Sequence, residues 1–217
     1  MDKRLERILP RVQKPARYVG GEYNAVMKDL SQVDTRVAFC FPDTYEIGMS
    51  NLGMRILYGI MNNMEGVWCE RVFAPWGDME EEMRRAGLPL YALESGDPIR
   101  DFDIIAFSVG YEMAFPAMLN MLDLAGIPLR SSERGEAYPI VAAGGNCSFN
   151  PEPLADIIDF FMPGDGEDVL IEVSEAIIAH KKSGGTKRQL LERLASIDGI
   201  YVPSFYEDSY NPDGTLC

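Results

Sequence analysis

Asp103-Ile104-Ile105-Ala106-Phe107-Ser108-Val109 is apolar at nearly every position after its first. A run of this kind suits a central strand of a parallel sheet, where both faces are covered and inward and outward positions are equally dry. Similar short runs flank it. Upstream, Arg36 to Phe41 and Val67 to Phe73 read as strands one and two, and Leu90 to Leu93 as a brief edge strand. Downstream, Pro139 to Ala143 and Phe160 to Met162 read as strands four and five. Between them lie segments with apolar residues at helical spacing. Ser50 to Asn63 carries Leu52, Ile56, Leu57 and Ile60, and Asp78 to Ala86 opens on Asp78 as N-cap and stops at Gly87. Ala117 to Ala125 follows Pro116 and ends at Gly126; Asp168 to Lys182 and Arg188 to Ser196 are the last two helices. Alternating strands and helices specify an α/β fold, doubly wound, with a mostly parallel five-stranded sheet of Rossmann or flavodoxin type.

The remainder of the chain frames this domain. Residues 1–33 mix charges and aromatics and read as an N-terminal arm of short helices. The α/β domain takes 34–184, and the C-terminal extension 185–217 reads as a linker with a short helix and the start of a truncated downstream domain. Asn211-Pro212-Asp213-Gly214 is a strand-joining turn signal with three residues after it. From it we expect that a further domain of a longer protein follows.

Composition narrows the chemistry. Of 217 residues, 20 are Lys or Arg and 34 Asp or Glu, for a net charge of −14. A field of that sign repels phosphate backbones and anionic lipid, so nucleic acid is not the expected partner. No window is apolar for the length of a membrane span and no signal peptide opens the chain, so a cytoplasmic location is expected. Cys40, Cys69, Cys147 and Cys217 stand far apart, and the one histidine, His180, is remote from all of them. No sequence-local metal or iron–sulfur motif exists among these residues, and no catalytic or metal-ligating residue is assigned. The thiols read as buried and reduced, with Cys147 alone placed near a loop where a ligand could meet it. His180, beside Lys181 and Lys182, reads as a solvated cap of a helix C-terminus.

Open α/β sheets bind ligands outside the carboxyl ends of their strands. Four loops meet that description. After strand one stand Asp43, Tyr45, Gly48, Ser50 and Asn51; after strand three Ser108, Gly110 and Tyr111. After strand four come Gly144, Gly145 and Asn146, and after strand five Gly164, Gly166 and Glu167. Small residues let a bulky ligand approach the backbone, and helix N-termini offer amide donors. None of the loops is a P-loop or a G-x-G-x-x-G fingerprint.

Asp43-Thr44-Tyr45-Glu46-Ile47-Gly48 resembles the D-x-H-x-x-G frame of cobalamin-binding domains, with tyrosine in the histidine position; Ser108-Val109-Gly110 resembles the S-x-L element and Gly144-Gly145 the terminal G-G. Pro163 to Glu167, Gly48 to Gly53 and the opening Lys14 to Asn24 look like the N-terminal domain of cobalamin-binding-domain radical SAM proteins. The resemblance implies a cofactor holder or lid, not catalytic alone, for a downstream barrel that binds S-adenosylmethionine and a [4Fe–4S] cluster. It implies cobalamin without a histidine ligand from this chain, the fourteen rim residues as its contacts, and the radical SAM domain as partner. The alternative is an interaction module with an empty cofactor site. A receiver domain fails for want of an acidic pair after strand one and a lysine after strand five.

Overall fold

In a computed structural model the chain is described over residues 2–207 and 209–215. Five strands form one parallel sheet: β1 Thr35–Phe41, β2 Val67–Phe73, β3 Ile104–Ser108, β4 Ile140–Gly144 and β5 Phe160–Met162. Their order is β2-β1-β3-β4-β5, the flavodoxin-like doubly wound arrangement. The apolar run at β3 is central, between β1 and β4, as its composition requires. Its side chains divide by parity. Ile104 and Ala106 enter one core, and Ile105, Phe107 and Val109 the other.

Among the described residues the α-helices are α1 Lys3–Ile8, α2 Tyr45–Ser50, α3 Leu52–Asn63, α4 Gly77–Ala86, α5 Phe115–Leu124, α6 Gly166–Ser183 and α7 Lys187–Leu194. Met54 and Met61 of α3, Val173 and Ile177 of α6 and Leu194 of α7 pack on the face that bears Ala106. Met79 and Met83 of α4, Met118 and Met121 of α5 and Leu5 of α1 pack on the other. These six methionines are core filling, buried and flexible enough to fit between strands and helices.

Three details differ from the sequence pattern. Leu90 to Leu93 forms no strand, because its backbone N–H groups go to three separate places, Leu124 O, Asp97 O and Arg71 O, at 3.1, 3.0 and 2.9 Å. Only an isolated bridge joins Tyr91 to Pro98. The α4 helix begins at Gly77 with Trp76 in the N-cap position, and the Asp78 carboxylate accepts from Gln13 N at 2.6 Å, a bond to the arm. The segment after β1 holds the extra helix α2.

The arm is a strap over the β2 edge. It starts with α1 against α4, where Arg4 donates to Gly87 O at 2.6 Å, and crosses the C-terminal ends of the strands at Tyr18, whose hydroxyl accepts from Trp76 N. It then descends beside β2, where Trp68 Nε1 donates to Val26 O at 2.9 Å and Lys28 Nζ to Val67 O at 2.5 Å. An exposed strand edge invites pairing with other chains, and the groups of this one are taken by Asn62 at Cys69, by Glu94 and Leu93 at Arg71 and by Lys28 of the strap at Val67. The β5 edge is met by Tyr201, in an antiparallel bridge to Phe161. Asn211 to Thr215 form the expected turn, with Gly214 N donating to Asn211 O at 2.9 Å. Cys217 lies outside the described residues.

Candidate functional site

With β1 and β3 side by side and their connections running to opposite sides, the winding reverses between them. A crevice opens there at the strand C-termini. Its two loops are tied directly: the Tyr111 hydroxyl donates to Asp43 Oδ2 at 3.0 Å, and this bond holds the phenol proton and raises its pKa. Beside the crevice, on the face covered by α3 and α6, lies a cavity of about 210 Å³. Its floor is Phe39, Ala106 and Met162 of the sheet, its walls are Leu57 and Leu170, and its mouth is framed by Gly53, Gly144, Gly145 and Gly164 to Glu167.

The cavity exists because these positions are small. Ala106 contributes only a methyl between Phe39 and Met162, and Gly144 sits where a Cβ would begin to touch Met162 at 3.6 Å. Gly145 has φ +95°, and a Cβ there would stand 2.8 Å from Val109 O. Only glycine makes that turn. The Ser108 hydroxyl, on the cavity side of β3, has no hydrogen-bond partner among the described residues, in a lining otherwise mostly apolar. The 18-residue helix α6 starts at the mouth, so its first amides are available there.

Of the fourteen rim residues, Ser108, Gly144, Gly145, Gly164, Gly166 and Glu167 line this cavity together. Asp43 and Tyr111 bridge the crevice next to it, Gly110 is exposed on the same loop, and Asn146 is exposed after the Gly145 turn. The remaining four have local duties. Gly48 is buried against Phe73, where a Cβ would stand 2.2 Å from the ring. Asn51 caps α3 by accepting from Met54 N at 2.9 Å, and the Ser50 hydroxyl donates to Ile47 O at 2.8 Å.

Tyr45 points to the β2 side. Its ring meets Phe73 edge-on at 5.5 Å, and burial together with Glu22 raises its pKa. Neighbouring Glu46 is held by the arm: Arg17 donates to it at 2.9 Å and brings its pKa down to about 2. Cys147 is buried behind the Gly145 turn, and burial raises its pKa, so it carries no thiolate toward the loop. His180 lies at the opposite edge of the sheet, in a groove with Asp103 and Tyr138 at the strand N-termini. Phe39, Leu57, Ala106, Met162 and Leu170 were not singled out from sequence. The signal for the sheet residues was strand parity, since they share the face of Ser108.

A family model described as the N-terminal region of radical SAM proteins matches residues 53–203, well over half the chain. The chain belongs to this family. The radical SAM N-terminal match spans α3 through the segment after α7 and includes every cavity-lining position except Phe39. No curated protein and no solved structure matches the chain. Among the described residues, no cluster of His, Cys, Asp or Glu is arranged to hold a metal ion, and no helix is long and apolar enough to cross a membrane. For radical SAM proteins, family membership implies S-adenosylmethionine and a [4Fe–4S] cluster in the parent protein.

Proposed function

We propose that this chain is the cofactor-holding N-terminal domain of a radical SAM iron–sulfur enzyme, and that its switch-point cavity takes part of a corrinoid of the cobalamin type. The observation that carries this reading is the glycine-framed cavity with an unpartnered serine hydroxyl in its wall. Drug-sized ligands fill about 300 to 1,000 Å³, so a space near 210 Å³ takes one arm of a large ligand and leaves its body on the rim. A dry cavity of about 150 Å³ holds a benzene ring, so this one has room for a fused heteroaromatic base. Ser108 and the first amides of α6 would bind the polar groups attached to that base, and Phe39, Leu57, Met162 and Leu170 would enclose it. The broad face of the macrocycle would rest over Gly144 and Gly145.

The cavity residues would hold the base of that cofactor, and among the described residues neither the histidine nor Tyr45 stands beside the cavity. His180 is at the other edge, and Tyr45 is engaged with Phe73. When bound, a corrinoid supplies a cobalt centre able to carry an alkyl group. This chain's part is to bind it, orient it and exclude water from its base. The three described cysteines are buried and free, two of them with pKa raised far by burial, which suits a reducing cytoplasm.

Equilibrium dialysis with hydroxocobalamin tests this reading. Retention by the wild-type chain is expected, unchanged in His180→Ala and Tyr45→Phe and lost in Ala106→Leu. Absence of retention by the wild type would reduce the domain to an interaction module with an empty cofactor site.

A further inference from the structure

The groove at the strand N-termini, at the far end of the sheet from the glycine-framed cavity, encloses about 430 Å³, within the range that small-molecule sites occupy. Buried Ile140, Ile177 and Leu190, from β4, α6 and α7, give it an apolar lining. Tyr138, His180 and Lys187 bring polar groups to the same lining. Among the described residues neither the Tyr138 hydroxyl nor the His180 ring has a hydrogen-bond partner. An apolar wall with a few convergent polar groups is the makeup of a ligand site.

Lys187 sets the sign of that ligand. Its ammonium lies 3.0 Å from Asp159 Oδ1 and 3.4 Å from Arg134 O, which leaves one of its three N–H donors unused. Asp159 is divided further, because its other oxygen accepts from Arg134 at 3.1 Å and from Val141 N at 2.8 Å. Two cations thus share one buried carboxylate. Burial pushes the Lys187 pKa down, as happens to an ammonium whose charge is incompletely matched. The other carboxylates beside it are occupied: Asp103 accepts from Lys181 at 2.7 Å and from Arg36 N at 2.8 Å, and Glu136 accepts from Lys187 N with both oxygens at 2.9 Å. Arg100 and Asp101, exposed neighbours in sequence, leave neither sign in excess. Donors are left over at the Lys187 end, and the group they lack is an anion.

We infer that this groove binds a small organic carboxylate, with its apolar body against Ile140, Ile177 and Leu190 and its charged end turned to Lys187 and Tyr138. The net charge of −14 does not oppose it, since distant exposed charges are screened beyond about 8 Å while a partly buried ammonium is not. The site is separate from the switch-point cavity and rests neither on cobalamin nor on the radical SAM assignment.

Methyl-resolved NMR of the wild-type chain titrated with benzoate tests it, with benzylamine as the control for charge and acetate as the control for the apolar body. Benzoate is expected to give saturable shifts at Ile140, Ile177 and Leu190 and to bind about tenfold more tightly than either control, as a charge-assisted bond on an apolar wall requires. Lys187→Met, which leaves Asp159 to Arg134, should weaken benzoate by about tenfold. Tyr138→Phe should also weaken it, and keeps the test readable should Lys187→Met not fold. Several results overturn the inference: no saturable shift with benzoate, a control that binds as tightly, shifts at Ala106 in place of Ile177, or a benzoate affinity that either folded variant leaves unchanged. Hydroxocobalamin retention is measured without benzoate, so failure at one site leaves the result at the other standing.

Discussion

Replacing Ala106 with leucine distinguishes a real cavity from a packed core by the sign of its effect on stability. Ala106 is 1% exposed on the central strand and its methyl meets the cavity of about 210 Å³. Leucine adds three carbons. At about 0.8 kcal/mol per buried CH₂ the gain is at most about 2.4 kcal/mol, from which side-chain ordering removes roughly 0.5 to 1 kcal/mol. The expected change is thus between zero and about 1.9 kcal/mol of added stability. In a fully packed site the same substitution costs about 1 to 3 kcal/mol through strain. For a chain of this size 1 kcal/mol moves the melting temperature by about 2 to 4 °C, so calorimetry separates the cases. Ala142→Leu is the control: Ala142 is fully buried on the same face, does not line the cavity, and should destabilise by about 1 to 3 kcal/mol. A fall of more than about 4 °C in Ala106→Leu, matching the control, would refute the cavity as a site open to a ligand.

Two further outcomes concern the strap. Glu94, whose side chain is fully buried, pairs with Arg71 at 2.6 Å, and Arg71 reaches Glu22 of the arm at 3.3 Å. Breaking a buried pair costs about 3 to 5 kcal/mol, so Glu94→Ala should lose roughly 6 to 12 °C at the lower figure, since Glu22 still faces the arginine. The paired change Arg71→Met with Glu94→Leu should recover most of it, and a single variant within about 2 °C of wild type would show that the pair contributes nothing. The second outcome is acid-dependent. Glu46 has its pKa lowered from 4.5 to about 2 by Arg17, so its contribution is complete above 4.5 and is lost as pH falls toward 2. Arg17 stacks 5.7 Å from Trp76, so Trp76 fluorescence in a Trp68→Phe background should change across that window. In Glu46→Gln that change should be absent.

The fold was legible in sequence because most strands are nearly continuous in apolar residues and α3 and α5 have a clear period, whereas the short α2 showed none. Even the three-residue β5 stood out, bounded by Asp159 and Pro163-Gly164. Leu90 to Leu93 misled because apolar composition is shared by strands and by buried connectors, and only the backbone partners separate the two. Six of the fourteen rim residues share the cavity, most of them glycines, for a simple reason: glycine after a parallel strand suits both the turn and an open space beside it. Gly145 and Gly48 show the ambiguity. One has a left-handed backbone under Val109 O and lines the cavity, while the other is glycine only because Phe73 lies against it. Tyr45 was legible as a departure from histidine, but its turn toward Phe73 depends on β2 and the arm, which lie far from it in sequence. The cavity walls were hidden for the same reason. Leu57 and Leu170 come from two helices whose meeting over Gly166 no local pattern announces.

The most direct measurement is a methyl-resolved NMR titration of the wild-type chain with hydroxocobalamin. The account predicts saturable shifts at the methyls of Ala106, Leu57, Met162 and Leu170, with Ile177 in the opposite groove unmoved. Shifts at Ile177 without shifts at Ala106, or no saturable shift at any methyl, would contradict it.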